Sequence, residues 1–220
     1  MSYATQITAD GWTAVDLVER FGAIPLHRIV QNPEPGSATE HDVIELNEHE
    51  NRLCELVDGT LMEKTVGAYE SYLSGILVHL LWAFVEKSSL GIVLPADGMM
   101  RLAPGLVRIP DLSFISWQRL PERRPPREPI PDLVPDLAVE VISKYNTRQE
   151  MDRKLQDYFT AGVQLVWYVY HTPRREVWAY VSPTEYSVVR EGETLDGGAV
   201  LPGFRLPLAD LFAEPAGSNE

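Results

Sequence analysis

One cysteine, Cys54, stands in a chain of 220 residues. That excludes an intrachain disulfide framework and a cysteine-rich zinc site, and it points to a reducing compartment, the cytoplasm. Positive charge is also scarce: 19 lysines and arginines face 32 acidic residues, for a net charge of −13. So acidic a balance excludes a strong, indiscriminate grip on nucleic acid, although not a local basic groove. Long apolar runs are missing as well. The longest, near Leu73 to Val85, reads as too short to span a bilayer and contains His79. The opening MSYATQITADGW has neither a basic start nor an apolar core, so no secretory signal is expected.

What is there reads as one domain with enough apolar content to bury a substantial core. TAVDLVERFG has the spacing of a short amphipathic helix, and NPEPGSATEHD follows it as a Pro/Gly-containing connector. In NRLCELVDGTLMEK two apolar arms flank Asp58-Gly59, a two-residue hairpin signal. GAYESYLSGILVHLLWAFVEKSSLG is the strongest helix, with apolar residues at i, i+3 and i+4. At about 100° per residue, Glu70 projects between Leu77 and Leu81, inside the apolar arc. GIVLP and VRIPDLSFIS read as strands, and the Pro/Arg-rich loop QRLPERRPPREPIPDLVP leads into a further strand, DLAVEVISK. Next comes the helix TRQEMDRKLQDYFTAG, which Asn146 or Thr147 can cap and Gly162 can close. VQLVWYVY and REVWAYV form a strand pair. The expected fold is α/β, a mixed central sheet flanked by helices. Residues 1–50 form an N-terminal helix and connector, 51–214 the main domain, and 215–220 a flexible tail.

The chemistry starts at Glu140. Its neighbours are Leu137, Ala138, Val139, Val141 and Ile142, and an ionised carboxylate buried among them is costly unless a charge or hydrogen-bond donor meets it. In VRIPDLSFI, strand alternation puts Asp111 on one face with Val107, Ile109, Ser113 and Ile115, a second embedded carboxylate. Along the following helix Met151, Leu155, Tyr158, Phe159 and Ala161 form the apolar arc, and Lys154 lies on its margin. Two carboxylates can hold Mg²⁺ or Mn²⁺ through oxygen, and a lysine alongside can orient water or stabilise a developing oxyanion. Hydrolysis of a phosphodiester needs these parts.

IPDLSFIS, VPDLAVEVIS and DRKLQDYFTAGVQLVWYV together resemble the Uma-two family of restriction-type endonucleases, within the PD-(D/E)XK nuclease superfamily. CELVDGTLMEK and VLPGFRLPLADLF are similar to that family too, so the resemblance covers roughly residues 53–212. It implies a restriction-endonuclease-like fold, a metal-dependent DNA endonuclease and a homodimer. It also implies roles: Asp111 and Glu140 as catalytic metal ligands, Lys154 as the catalytic lysine moved to the helix, and Glu70 as the first-helix acid. Ile142 stands where the superfamily's usual lysine would be. Arg119, Arg123, Arg124 and Arg127 form the one basic cluster, either a solvated loop or phosphate contacts. Two other functions fit some of the residues. A nuclease fold without catalysis, serving as a binding module, suits Ile142 and the acidic charge. A glycoside hydrolase would use the paired carboxylates but has no role for Lys154.

Overall fold

The computed structural model describes residues 12–65 and 67–214; the tail 215–220 and the start of the N-terminal segment lie outside them. Helix α1 (Ala14–Phe21) begins at a capping box in which Thr13 and Asp16 satisfy each other's backbone donors. Helix α2 (Glu40–Glu50) occupies the end of the stretch expected to be a connector. A second capping box, Thr39 with Asp42, starts it, and Val43 and Leu46 are its only buried residues. So few apolar positions leave almost no periodic trace in the sequence.

Strands β1 (Cys54–Val57) and β2 (Thr60–Glu63) form the expected hairpin, with Asp58 and Gly59 both at positive φ. Helix α3 (Ala68–Ser88) leads to β3 (Gly91–Pro95), β4 (Met100–Ala103) and β5 (Leu106–Arg108). VRIPDLSFIS is not one strand. It breaks at Ile109-Pro110-Asp111, so that β5 joins one sheet and β6 (Leu112–Ser116) another. Pro110 offers no backbone donor to a ladder, and the chain changes sheets there. Asp111 therefore sits at the crossing of two sheets.

After β6 come β7 (Leu137–Ile142), helix α4 (Arg148–Ala161), β8 (Leu165–Tyr170), β9 (Glu176–Tyr180) and β10 (Tyr186–Arg190). Strands β11 (Thr194–Asp196) and β12 (Arg205–Pro207) pair with each other, and α5 (Leu208–Leu211) closes the described chain. The central sheet runs β10-β9-β8-β7-β6-β3; β7 and β8 are parallel and the other pairs antiparallel. A second, antiparallel sheet runs β2-β1-β5-β4.

Helices cover both faces of the central sheet. Leu73, Leu77, Leu81 and Val85 of α3 pack with Leu137, Val139, Val141, Leu165 and Trp167 on one side. Met151, Leu155 and Tyr158 of α4 pack with Ala138, Val166 and Tyr168 on the other. Burial on two faces explains the nearly continuous apolar character of β7 and β8. By length and composition α3 could cross a membrane, contrary to the sequence reading of this stretch as too short. In the fold its most apolar stripe lies on the sheet. His79, on the outer side of α3, is exposed.

The described part of residues 1–50 packs onto the second sheet. Leu17, Phe21 and Ile29 cluster with Val57 and Met62, and Val43 and Leu46 with Cys54, Leu56 and Val107. Glu40 pairs with Arg101 of β4. Arg28, almost fully buried, forms a two-pronged pair with Glu150 of α4 at 2.8 and 3.1 Å. These contacts fasten α4 against the hairpin side of the molecule. A functional group can then be shared between the two sheets.

Candidate active site

The crossing at Pro110 and the centre of β7 bring charge together. Asp111 Oδ2 accepts a hydrogen bond from the backbone N–H of Val141 at 2.7 Å, which ties the start of β6 to β7. Its Oδ1 lies 2.9 Å from Lys64 Nζ. Lys64 follows β2, and its ammonium also donates to the carbonyl of Ile109 at 2.7 Å. Glu140 Oε1 accepts from Lys154 Nζ at 3.0 Å and from the Tyr158 hydroxyl at 2.6 Å. Lys154 Nζ is 3.0 Å from a third carboxylate, Glu55 Oε1 of β1. Glu55 also accepts from Arg108 at 2.7 Å and from the backbone N–H of Ile109 at 3.1 Å. Arg108 in turn donates to Asp157 at 3.1 Å.

These side chains surround a small cavity of about 20 Å³, lined also by Arg28, Thr65 and Asn146. That is room for about one water. Three carboxylates (Glu55, Asp111, Glu140) and three cations (Arg28, Lys64, Lys154) border it, so the formal charges cancel.

Protonation follows from the packing. Burial resists ionisation of Glu140, and the negative charges of Asp111 and Glu55 reinforce it; Lys154 and Lys64 oppose them without winning, so the carboxyl is held above its ordinary range. Burial likewise resists ionisation of Glu55, but Lys154, Arg108 and Lys64 overcome it and bring the carboxyl down to about 2. For Lys154 burial favours the neutral amine, yet Glu140 and Glu55 outweigh it and keep the ammonium charged. Cys54 is buried beside this network, and burial pushes its thiol up to about 11, so it offers no thiolate near neutral pH.

The Glu55 shift fixes an acid limb of stability. An unfolded glutamate titrates near ~4.3, above the folded value, so the folded state binds fewer protons. The stabilisation is complete above about pH 4.5 and is lost as pH falls toward 2, on the order of 3 kcal/mol. Urea midpoints should therefore fall more steeply with acid in the parent than in Glu55→Gln. Parallel curves would remove Glu55 as the source.

Asp111, Glu140 and Lys154 thus meet at one point. Glu70 does not join them: it lies at the start of α3, 3.3 Å from His171 Nε2 beyond β8. The arginine cluster is also elsewhere. Its loop joins the far ends of β6 and β7, roughly 17 Å along the strand from Asp111. Arg119 is held there by Asp136 and by the carbonyls of Val134 and Gly162, while Arg123, Arg124 and Arg127 are exposed. Sequence reasoning missed Glu55, Lys64 and Tyr158 as members of the site. Glu55 had a visible signal, since it interrupts the apolar run Cys54–Val57 as Glu140 interrupts β7. Lys64 had none, because only the fold brings the end of β2 to Asp111.

The donor set suits a hard cation. Asp111 and Glu140 are oxygen donors on one cavity, and Glu140 Oε2 accepts no bond from the described residues. Among the described residues no three His, Cys, Asp or Glu side chains are placed to hold a metal. Mg²⁺ or Mn²⁺ would have oxygen donors in Asp111 and Glu140, but a hydrated shell needs the cavity to open and Lys64 to release Asp111 Oδ1.

The fold is α/β, a restriction-endonuclease-like mixed central sheet flanked by helices, with Asp111 where the chain passes from one sheet to the other. A solved structure shares it: a putative nuclease belonging to DUF820 from Anabaena variabilis ATCC 29413, with a TM-score of 0.67 and 18% identity, covering 79% of this chain and 97% of that one. The chain belongs to the Uma2 family, described as "Putative restriction endonuclease", which matches residues 40–209. No curated protein matches it.

Proposed function

We propose that this protein is a metal-dependent nuclease that hydrolyses phosphodiester bonds, with DNA as the first substrate to test. The observation that carries the reading is the convergence of Asp111, Glu140 and Lys154 on one cavity. A Mg²⁺ or Mn²⁺ ion held by Asp111 and Glu140 would supply Lewis acidity toward the phosphoryl oxygen and a more acidic water.

The chain's own groups do the rest. Val141 N–H and Lys64 fix both oxygens of Asp111, and Tyr158 and Lys154 fix Glu140. Lys154 is a hydrogen-bond donor and not a base, because Glu55 and Glu140 keep it charged. It stabilises the negative charge that builds on the phosphoryl group as water attacks phosphorus and the opposite P–O bond breaks. Lys64 contributes a second cation, from the hairpin, beside the strand on which Ile142 replaces the usual lysine. A homodimer would supply one site per strand, and Arg123, Arg124 and Arg127 are free to meet backbone phosphates away from the cavity.

A second reading, a binding module without catalysis, is favoured by one observation: Lys64 and Lys154 already occupy Asp111 and Glu140 around a cavity sized for one water. Calorimetric titration with Mn²⁺ into the millimolar range, in the presence of a short DNA duplex, separates the two. The nuclease reading expects saturable binding that folded Asp111→Ala and Glu140→Ala variants lose. Binding indifferent to both substitutions, or none, would leave the module.

A further inference from the structure

The face of the central sheet that carries Glu140 does not end at α4. Across the ladder Glu140 pairs with Tyr168 and Tyr168 with Trp178, while Ile142 pairs with Tyr170. Tyr180 pairs with Tyr186 on the edge strand β10. Directly paired residues share a face, so Tyr168, Tyr170, Trp178, Tyr180 and Tyr186 extend one aromatic surface outward from the catalytic strand. The α4 side chains Met151 and Leu155 cover only its inner part, and what lies beyond is a cleft of about 530 Å³. That volume is in the usual range for small-molecule sites.

The cleft neighbours the candidate active site: Asn146 lines both. Its floor is arranged for a flat ring. Trp178 and Tyr186 stack at 4.9 Å with planes 8° apart, and Tyr186 is 47% exposed, so an aromatic face remains open. Trp178 packs on the core beneath, whereas Tyr186 lies on β10, the edge of the sheet and mostly exposed, so the outer side of the pair is open. Charge of both signs lies at the Ile142 end of this surface. Arg148, 94% exposed, borders the cleft 3.6 Å from Asp152, which also borders it, and Arg190 lies one ladder row beyond Trp178 on the same face, opposite Glu176 and outside the cleft's lining. Neither arginine belongs to the cluster that stands out in the sequence.

We propose that this cleft is a subsite for an unpaired nucleotide of the substrate strand, next to the scissile phosphodiester. The base stacks on the Trp178–Tyr186 pair, and Arg148 turns from Asp152 to meet a flanking phosphate. Stacking on an aromatic face is indifferent to base identity, so the subsite selects for an unpaired strand and not for a sequence. The inference rests on the nuclease reading for its substrate, but its test does not depend on cleavage.

The experiment is fluorescence anisotropy of a labelled eight-residue thymidine oligonucleotide with the full chain, in Ca²⁺ to withhold turnover. Parallel runs use a duplex of the same length, and sedimentation follows the oligomeric state. Tyr186→Ala should weaken single-strand binding by about tenfold or more, with an unchanged melting temperature, and Tyr186→Phe should retain it. Trp178→Ala, checked for folding in the same way, should match Tyr186→Ala. No single-strand binding by the parent, or binding untouched by Tyr186→Ala, overturns the subsite. So does a Tyr186→Ala variant that loses self-association while binding the oligonucleotide as before, which would make the surface an interface between copies. The two readings fail separately: cleft-dependent binding without cleavage in Mg²⁺ or Mn²⁺ defeats the nuclease alone, and cleavage with cleft-independent binding defeats the subsite alone.

Discussion

Replacing Glu140 by glutamine is expected to lower phosphodiester cleavage by about 10³-fold while leaving the fold as stable as the parent, or more so. The two halves have one cause. Glu140 is 4% exposed in the centre of a sheet, and burial, Asp111 and Glu55 all resist its ionisation. A carboxyl whose folded pKa is raised binds its proton more tightly in the fold than in the unfolded chain. Stability it contributes is present below about pH 4.3 and is lost as pH rises through the folded value. Glutamine has no such loss. It keeps an oxygen to accept the Tyr158 hydroxyl, and Lys154 keeps Glu55 as its partner at 3.0 Å. Urea midpoints of parent and variant should therefore coincide near pH 4 and separate in favour of the variant toward neutrality. A variant that unfolds at lower urea at pH 7 would mark Glu140 as a structural acid. One that still cleaves would remove it from the reaction.

Much of this site is legible because β-strand alternation is a strong local rule. Glu140 and Asp111 each stand out as a charge in an apolar strand, and the helical spacing of α4 turns Lys154 toward the sheet that carries Glu140. The Asp58-Gly59 hairpin, the Thr147 cap and the Gly162 stop follow from equally local chemistry. What the sequence hid is long-range. Pro110 marks an interruption, but nothing local says that the chain changes sheets there. Helical spacing turns Glu150 away from the apolar arc of α4, yet it closes a capping box with Thr147 and is buried against Arg28, 122 positions away. Lys64 and Glu55 enter the site only because the second sheet packs beside β7. By sequence Trp167, Tyr168, Tyr170, Trp178 and Tyr180 read as core and hairpin packing or a subunit interface, whereas in the fold those on the Glu140 face line an open cleft.

Lys154→Met should have the largest effect on stability, a loss of about 3–5 kcal/mol, together with loss of cleavage. Lys154 is 3% exposed, and its ammonium is the one group that touches both Glu55 and Glu140. Methionine fills a similar volume but leaves two buried carboxylates facing each other with less compensation. Glu55 would keep Arg108 and the Ile109 N–H, so the larger burden falls on Glu140, which keeps only Tyr158. Adding Glu140→Gln to Lys154→Met should then recover a substantial part of the loss, a coupling of about 1–3 kcal/mol. Adding Glu55→Gln should recover less, because it removes one of the two carboxylates that face the buried Arg108 and leaves it Asp157 alone. Chemical denaturation of the single and double variants at neutral pH measures each term. If Lys154→Met cost under about 1 kcal/mol, its ammonium would be doing no more than an exposed ion pair does, and the charge network around the cavity would not be what holds Glu55 and Glu140 in place.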